Sequence, residues 1–357
     1  MDVITVVVII FSILGAFDYI IGNKLGLGKE FEKGFSLLGV MALTMIGMLV
    51  LAPWLASVLK PVFSFVWKYL HIDPSVVPAI LFANDIGGAP LATEIAVNEQ
   101  IGGFNALVVS SMMGTTVSYT IPYALGVVDF TKHKSLFLGI LCGIVGISGG
   151  CFVSGIVLGI PVITLLINLI PLLLFSAILV WGLLKHADAC IKILGAVGVF
   201  IRGLIIVGLM IGIIKFLTGK ELLSPISTIE EGAIVCLNGS VVLSGAFVLM
   251  NLVSRLLKKP LQKLGGKVGI NQVSALCLAS TIVSSTPTFG LMYKMDEKGV
   301  VLNSAFAVSA GFVFGGHLAF TMAFDKEYTL AVIVGKIISG LIAVFVANYI
   351  YERQKSK

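Results

Sequence analysis

The chain has 357 residues, 58% of them hydrophobic and 12% charged, about half the charged share of a soluble globular domain. Its mean hydropathy is +1.08, and the apolar residues gather into runs of about 20 or more, enough to cross roughly 30 Å of hydrocarbon as helix. A water-soluble globule and a disordered chain are thereby excluded. The formal charge of +6 does not point to nucleic acid, because the Lys and Arg residues lie mostly between apolar runs, where orientation signals belong.

In chain order the runs fall at about 2–22, 35–59, 74–92, 104–128, 135–158, 162–184, 191–217, 231–254, 270–292, 300–324 and 329–350. The first lacks a basic start and a small-residue cleavage site, so it is expected to stay as a membrane helix. Loops are short and no polar stretch could form a second domain. The expectation is one integral membrane domain over 1–357, with halves at about 2–158 and 162–350. Glycines four apart, Gly139 and Gly143, Gly208 and Gly212, Gly311 and Gly315, suit close helix packing. Cys142, Cys151, Cys190, Cys236 and Cys277 have neither metal-ligand spacing nor disulfide density and read as core residues.

Two runs make poor spanning helices. Run 74–92 contains Asn84, Asp85, Gly87, Gly88 and Pro90; run 270–292 contains Ser284, Ser285, Thr286, Pro287 and Gly290. Proline and glycine there break the helix and release polar groups that lipid cannot satisfy. If both runs re-enter on their own side, only Lys60, Lys68, Lys215, Lys220 and Lys326 stay outside. Arg202 and Lys336 then lie within the membrane, and the rest of the 24 Lys and Arg, including Arg255, Lys258, Lys259, Lys263 and Lys267, lie inside. That satisfies the positive-inside rule, whereas eleven crossings do not. The expected fold is all-α and polytopic: about nine transmembrane helices plus two broken re-entrant hairpins in an inverted-repeat, transporter-like arrangement. The N-terminus is outside and the C-terminus cytoplasmic; 10–11 spanning helices are the alternative. At an offset of 197 residues Pro90 matches Pro287, Glu99 matches Asp296, Gly102 matches Gly299 and Gly114 matches Gly311.

Asp85 carries the most information. Eleven residues after Pro74, it would sit roughly 16 Å deep, where a carboxylate costs on the order of 2.5–3.5 kcal/mol and needs a partner. It reads as a counter-ion for a cationic substrate or coupling ion, or as the partner of Arg202 or Lys336, or as a cap of the half-helix around Gly87. Asn84 could meet a substrate hydroxyl or satisfy freed backbone groups. Ser284, Ser285, Thr286 and Thr288 offer hydroxyls to a small alcohol or a dehydrated ion, or bond back to their own helix. Asp18 reads as an interfacial cap. His317 could relay protons or simply be hydrogen-bonded, and Arg202 and Lys336 read as buried cations in structural ion pairs. Tyr119, in Ser118-Tyr119-Thr120-Ile121-Pro122-Tyr123, could offer its ring to an ammonium or pack in the core. No phosphate-binding loop, zinc-protease motif, nucleophile elbow or nucleotide fingerprint is present.

Several segments together resemble the ethanolamine utilisation membrane protein family of bacteria. They are Gly15-Ala16-Phe17-Asp18, Asn84-Asp85-Ile86-Gly87-Gly88 with Leu91-Ala92, Ser111-Met112-Met113-Gly114 with Ile121-Pro122, Pro287-Thr288-Phe289-Gly290-Leu291-Met292, Ala305-Phe306-Ala307-Val308-Ser309-Ala310, His317-Leu318 and Val334-Gly335-Lys336. The resemblance implies an ethanolamine permease of the bacterial cytoplasmic membrane, working by alternating access. It implies no enzyme activity, no cofactor beyond a coupling H⁺ or Na⁺, and no partner other than substrate, lipid bilayer and a second copy of the chain. Asp85 would meet the ammonium, and Asn84 or a hairpin hydroxyl the alcohol. Two rivals remain: a cation-coupled carrier of another small solute, and an intramembrane enzyme using Asp85 and His317 on lipid headgroups.

Overall fold

The computed structural model describes residues 3–355, apart from the side chains of residues 63–66, 257, 258, 261 and 264. Lys258 of the basic cluster, and the ends of the chain at residues 1, 2, 356 and 357, therefore lie outside the described structure. The described residues form helices and no strand, as expected where lipid offers the backbone no hydrogen-bond partner. Among the described residues, seven helical stretches are long and apolar enough to cross a membrane: Val3–Ile20, Gly28–Val62, Phe130–Val157, Val162–Lys185, Ala187–Thr218, Ile229–Leu256 and Lys326–Lys355.

α1 (Val3–Ile20) turns into α2 (Gly28–Ser36), which bends at Leu37 into α3 (Leu38–Leu70). Asp18, fully buried, holds that turn by accepting from the amides of Leu25, Leu27 and Gly28 at 2.7–2.9 Å. α8 (His133–Val157), α9 (Val162–Lys185), α10 (Ala187–Thr218), α11 (Ile229–Val268) and α16 (Thr329–Lys355) are continuous. Gly139 and Gly143 admit α14 (Glu297–Ala310) against α8, and Gly208 admits α3 against α10.

Run 74–92 is interrupted. α4 (Val76–Leu81) ends at Phe82, a 3₁₀ turn covers Asn84–Ile86, and α5 (Gly88–Ile95) resumes. Gly87 takes φ 104°, a left-handed conformation suited to glycine, and a side chain there would run into Met48. The two ends of the segment meet: Asp73 accepts from the amides of Val97 and Asn98 at 3.1 and 2.8 Å. Run 270–292 behaves alike. α12 (Gln272–Val283) stops at Ser284, α13 (Thr286–Gly290) follows, and Asp296 accepts from the amide of Asn271 at 2.9 Å.

Two features depart from the sequence reading. The segment joining α6 (Glu99–Gly103) to α7 (Ile121–Val127) is π-helical over Phe104–Gly114 and Thr116–Thr120. Ser111, Thr115, Thr116 and Ser118 bond back to its carbonyls at 2.7–3.2 Å. Run 300–324 is broken as well. α14 ends at Ala310 and α15 (Gly316–Phe324) begins after an unwound stretch in which Phe312 has φ 63°. The amides of Phe312 and Phe314 bond to the carbonyls of Thr281 and Ile282 at 3.1 and 2.9 Å, satisfying the end of α12. Gly311 and Gly315, expected to serve helix packing, flank this break instead.

Candidate functional site

The three interruptions converge. The tip of the first hairpin is fastened to the π-helix: Ser110 Oγ donates to the Phe82 carbonyl at 2.6 Å, and Ser118 Oγ accepts from the Ala83 amide at 3.1 Å. A methyl group placed on Gly316 would stand 3.8 Å from Asp85 Oδ2, so the carboxylate faces the first turn of α15. From the second hairpin, Thr286 Oγ1 hydrogen-bonds Tyr119 OH at 2.8 Å. Tyr119 stacks on Tyr123 at 5.2 Å and meets the edge of Phe312 at 5.7 Å, while Phe312 lies 5.2 Å from His317. Asp85, Tyr119, Thr286, Phe312 and His317 thus border one region where unwound backbone and aromatic faces come together.

Electrostatically the region is unusual. Asp85 is half-buried and forms no ion pair among the described residues. Neighbouring Asn84 is fully buried, yet neither its Oδ1 nor its Nδ2 has a hydrogen-bond partner among the described residues. Ser285 Oγ and His317 Nδ1 are buried and unpartnered in the same sense. His317 Nε2 reaches Thr115 Oγ1 at 3.4 Å. Unsatisfied buried groups each cost about 1–3 kcal/mol, and such groups concentrate where a ligand completes the pairing.

Not every expected residue belongs here. Thr288 is committed inside its own hairpin, to Thr281 Oγ1 at 2.7 Å, Ser280 Oγ at 3.2 Å and the Cys277 carbonyl at 3.2 Å. Ser284 Oγ accepts from the Thr286 amide at 3.4 Å and helps turn the chain. Asp18 belongs to the α1–α2 turn. Arg202 is exposed on α10, not buried, and forms no ion pair among the described residues; its long side chain can reach outward from an apolar helix. Lys336 is fully enclosed, but its partner is the Ser111 carbonyl at 2.6 Å and not a carboxylate. Phe312, Ser110 and Ser118 were not singled out from sequence, because an aromatic in an apolar run and hydroxyls in a helix carry no signal of a break.

A cavity of about 410 Å³ is lined by Glu30, Lys33, Phe247, Asn251 and Arg255 together with Ser280, Ser284 and Pro287 of the second hairpin. It reaches the residues next to Ser285 and Thr286. Among the described residues, no three His, Cys, Asp or Glu side chains gather to hold a metal.

Fold and site together define an all-helical, multi-pass membrane protein whose interrupted helices bring a carboxylate, amide, hydroxyls and aromatic rings to one interior region. Its relatives narrow the class. The chain belongs to the family described as "Ethanolamine utilisation protein, EutH", whose sequence model matches residues 1–350. It is 40% identical over 359 residues to "Probable ethanolamine permease EutH" of Listeria monocytogenes serotype 1/2a (strain 10403S), covering 100% of this chain and 95% of that protein. It is 36% identical to the protein of the same name from Salmonella typhimurium, covering 90% and 85%. It is 33% identical to "Uncharacterized protein YxeR" of Bacillus subtilis (strain 168), covering 100% and 96%. No solved structure matches the chain.

Proposed function

We propose that this protein is an ethanolamine permease of the bacterial cytoplasmic membrane, binding the protonated amine against Asp85 and working by alternating access. The observation that carries the reading is Asp85 itself: a carboxylate without an ion-pair partner among the described residues, at the tip of an interrupted hairpin, beside an unpartnered amide and aromatic rings. Ethanolamine is a small ammonium carrying one hydroxyl. Asp85 meets its charge, the faces of Tyr119 and Phe312 add cation–π attraction of about 0.5–2 kcal/mol, and Asn84 or Ser285 meets its hydroxyl. A charge-assisted bond in a site shielded from water is stronger than a neutral one.

The contacts at the two hairpin mouths support an inverted arrangement. Asn98, next to the Asp73 closure, caps the start of the helix that runs to Val127. Past the far end of that helix, Lys132 donates to the Met295 carbonyl at 3.1 Å and to Glu297 at 2.6 Å, beside the Asp296 closure. Hairpins opening from opposite ends of one long helix favour nine crossings with two re-entrant segments. The charge distribution then favours an outside N-terminus and a cytoplasmic C-terminus, with the 410 Å³ cavity as the inner vestibule.

Uptake of labelled ethanolamine into liposomes holding the purified chain tests the reading, at the same acidic pH inside and outside, where the neutral amine diffuses least. The parent protein is expected to equilibrate label faster than protein-free liposomes do, with Asp85→Asn at least about tenfold slower. Equal rates for parent and variant would remove Asp85 as counter-ion. Absence of any protein-dependent ethanolamine uptake would point to another small solute.

A further inference from the structure

We infer that Lys336 is the proton-exchange partner of the site, giving up its proton as a substrate ammonium binds beside Asp85, so that one cation replaces another. The inference rests on the transport reading above and adds what moves in the opposite direction.

Lys336 lies in α16, roughly 10 Å from its first residue, with 1% of its surface exposed. Its ammonium donates to the Ser111 carbonyl of the π-helix at 2.6 Å, and no carboxylate lies within ion-pair distance among the described residues. Other lysines of this chain are treated differently. Lys298, also buried, reaches Glu352 at 2.5 Å, and Lys132 reaches Glu297 at 2.6 Å. The titratable groups within electrostatic reach of Lys336 are Asp85 from the first hairpin, His317 from α15 and Cys151 from α8. Asp85 alone among them carries a charge of opposite sign.

Charge arithmetic follows. With Asp85 ionised and Lys336 protonated the region is neutral overall. An arriving ammonium brings one excess positive charge into a medium of low polarisability, at an effective cost of several kcal/mol. Loss of one proton from Lys336 restores neutrality, and the resulting amine still has N–H groups to donate to Ser111. The fold therefore need not change when the proton leaves. Arginine would not allow this, because a guanidinium keeps its proton in proteins. No bond to carbon is made or broken: the lysine N–H bond breaks, its electron pair stays on nitrogen and the proton passes to water. When substrate leaves on the cytoplasmic side the amine takes a proton from that side and carries it back. One ethanolammonium enters for each proton that leaves, with no net charge moved.

Isothermal titration of ethanolamine into the purified full chain decides the matter, run in phosphate and in imidazole at about pH 6.5, where ethanolamine is mostly protonated. The wild-type heats are expected to differ between buffers by the ionisation heat of about one proton released per ethanolamine bound. Identical heats in the two buffers would overturn the exchange while leaving the transport reading intact; absence of binding in both would remove both. Lys336→Met is expected to bind with no buffer dependence and to carry inward positive current on a supported membrane, where the parent is silent. Lys336→Gln serves should the methionine variant not fold. Lys336→Arg is expected to bind at least about tenfold more weakly, and unaltered affinity there would also overturn the proposal.

Discussion

Asp73 and Asp296 close the mouths of the two hairpins with the same bond made in opposite directions along the chain. Asp73, at the entrance of the first, accepts from the amide of Asn98 at its exit; Asp296, at the exit of the second, accepts from the amide of Asn271 at its entrance. Asparagine and aspartate have exchanged places. In each hairpin the asparagine also caps the following helix, Asn98 over Ile101 and Asn271 over Ser274. At an offset of 198 residues Asp73 matches Asn271 and Asn98 matches Asp296, one more than the offset of 197 that matches Pro90 with Pro287.

Removing the closure should loosen the fold without touching the site. Asp73 serves three amides, those of Ser75, Val97 and Asn98, so Asp73→Ala is expected to cost about 3 kcal/mol. Asp73→Asn, which keeps one acceptor, should cost less. Thermal unfolding in detergent reads the order, and an alanine variant as stable as the parent would contradict it.

Gly87 is constrained twice, by φ 104° and by the Met48 side chain against it. Gly87→Ala is expected to lower stability by about 1–3 kcal/mol. Adding Met48→Ala should recover part of that loss, because it relieves the contact but not the backbone. Full recovery in the double variant would mean that the left-handed conformation costs nothing.

Tyr119 offers both a ring and a hydroxyl, and the two can be separated. Tyr119→Phe keeps the face beside Phe312 and removes the bond to Thr286. It is expected to bind ethanolamine within about threefold of the parent, while Tyr119→Ala weakens binding by roughly 2–30-fold. Equal losses in both variants, measured by tracer binding, would assign the role to the hydroxyl.

Outside the membrane, Glu221 in the loop between α10 and α11 is held below the usual carboxylate range by its hydrogen bond and charge contact with Lys215 at 2.5 Å. A depressed acid stabilises the folded loop above its ordinary pKa, and that contribution disappears as pH falls through the lowered value. Amide-exchange protection of residues 219–228, corrected for intrinsic rate, should be constant above about pH 5 and decline below about pH 4. Glu221→Gln should show the low protection throughout.

The sequence disclosed the breaks at Asn84–Asp85 and Ser284–Ser285 because proline and glycine stand out in apolar runs. It did not disclose the break after Ala310. There Phe312, Val313 and Phe314 keep the run apolar, and the helix ends because tertiary contacts to α12 replace its own hydrogen bonds. The π-helix was equally hidden, since its serines and threonines read as ordinary helix residues until their back-bonds are seen. Arg202 and Lys336 looked alike as cations in apolar runs. Their opposite fates, one exposed and one enclosed, depend on which face of α10 and α16 meets the core, which hydropathy alone does not define.

The single bond between Tyr119 and Thr286 has a mechanical meaning. Each hairpin is riveted at its base by a carboxylate, whereas among the described residues α13 is hydrogen-bonded to the facing π-helix through one hydroxyl pair. Such a pair is worth about 1 kcal/mol, less than twice the thermal energy, so it is a latch that swings on ambient agitation alone. A guest that offers its own hydroxyl to either half would lift it without needing any other source of work.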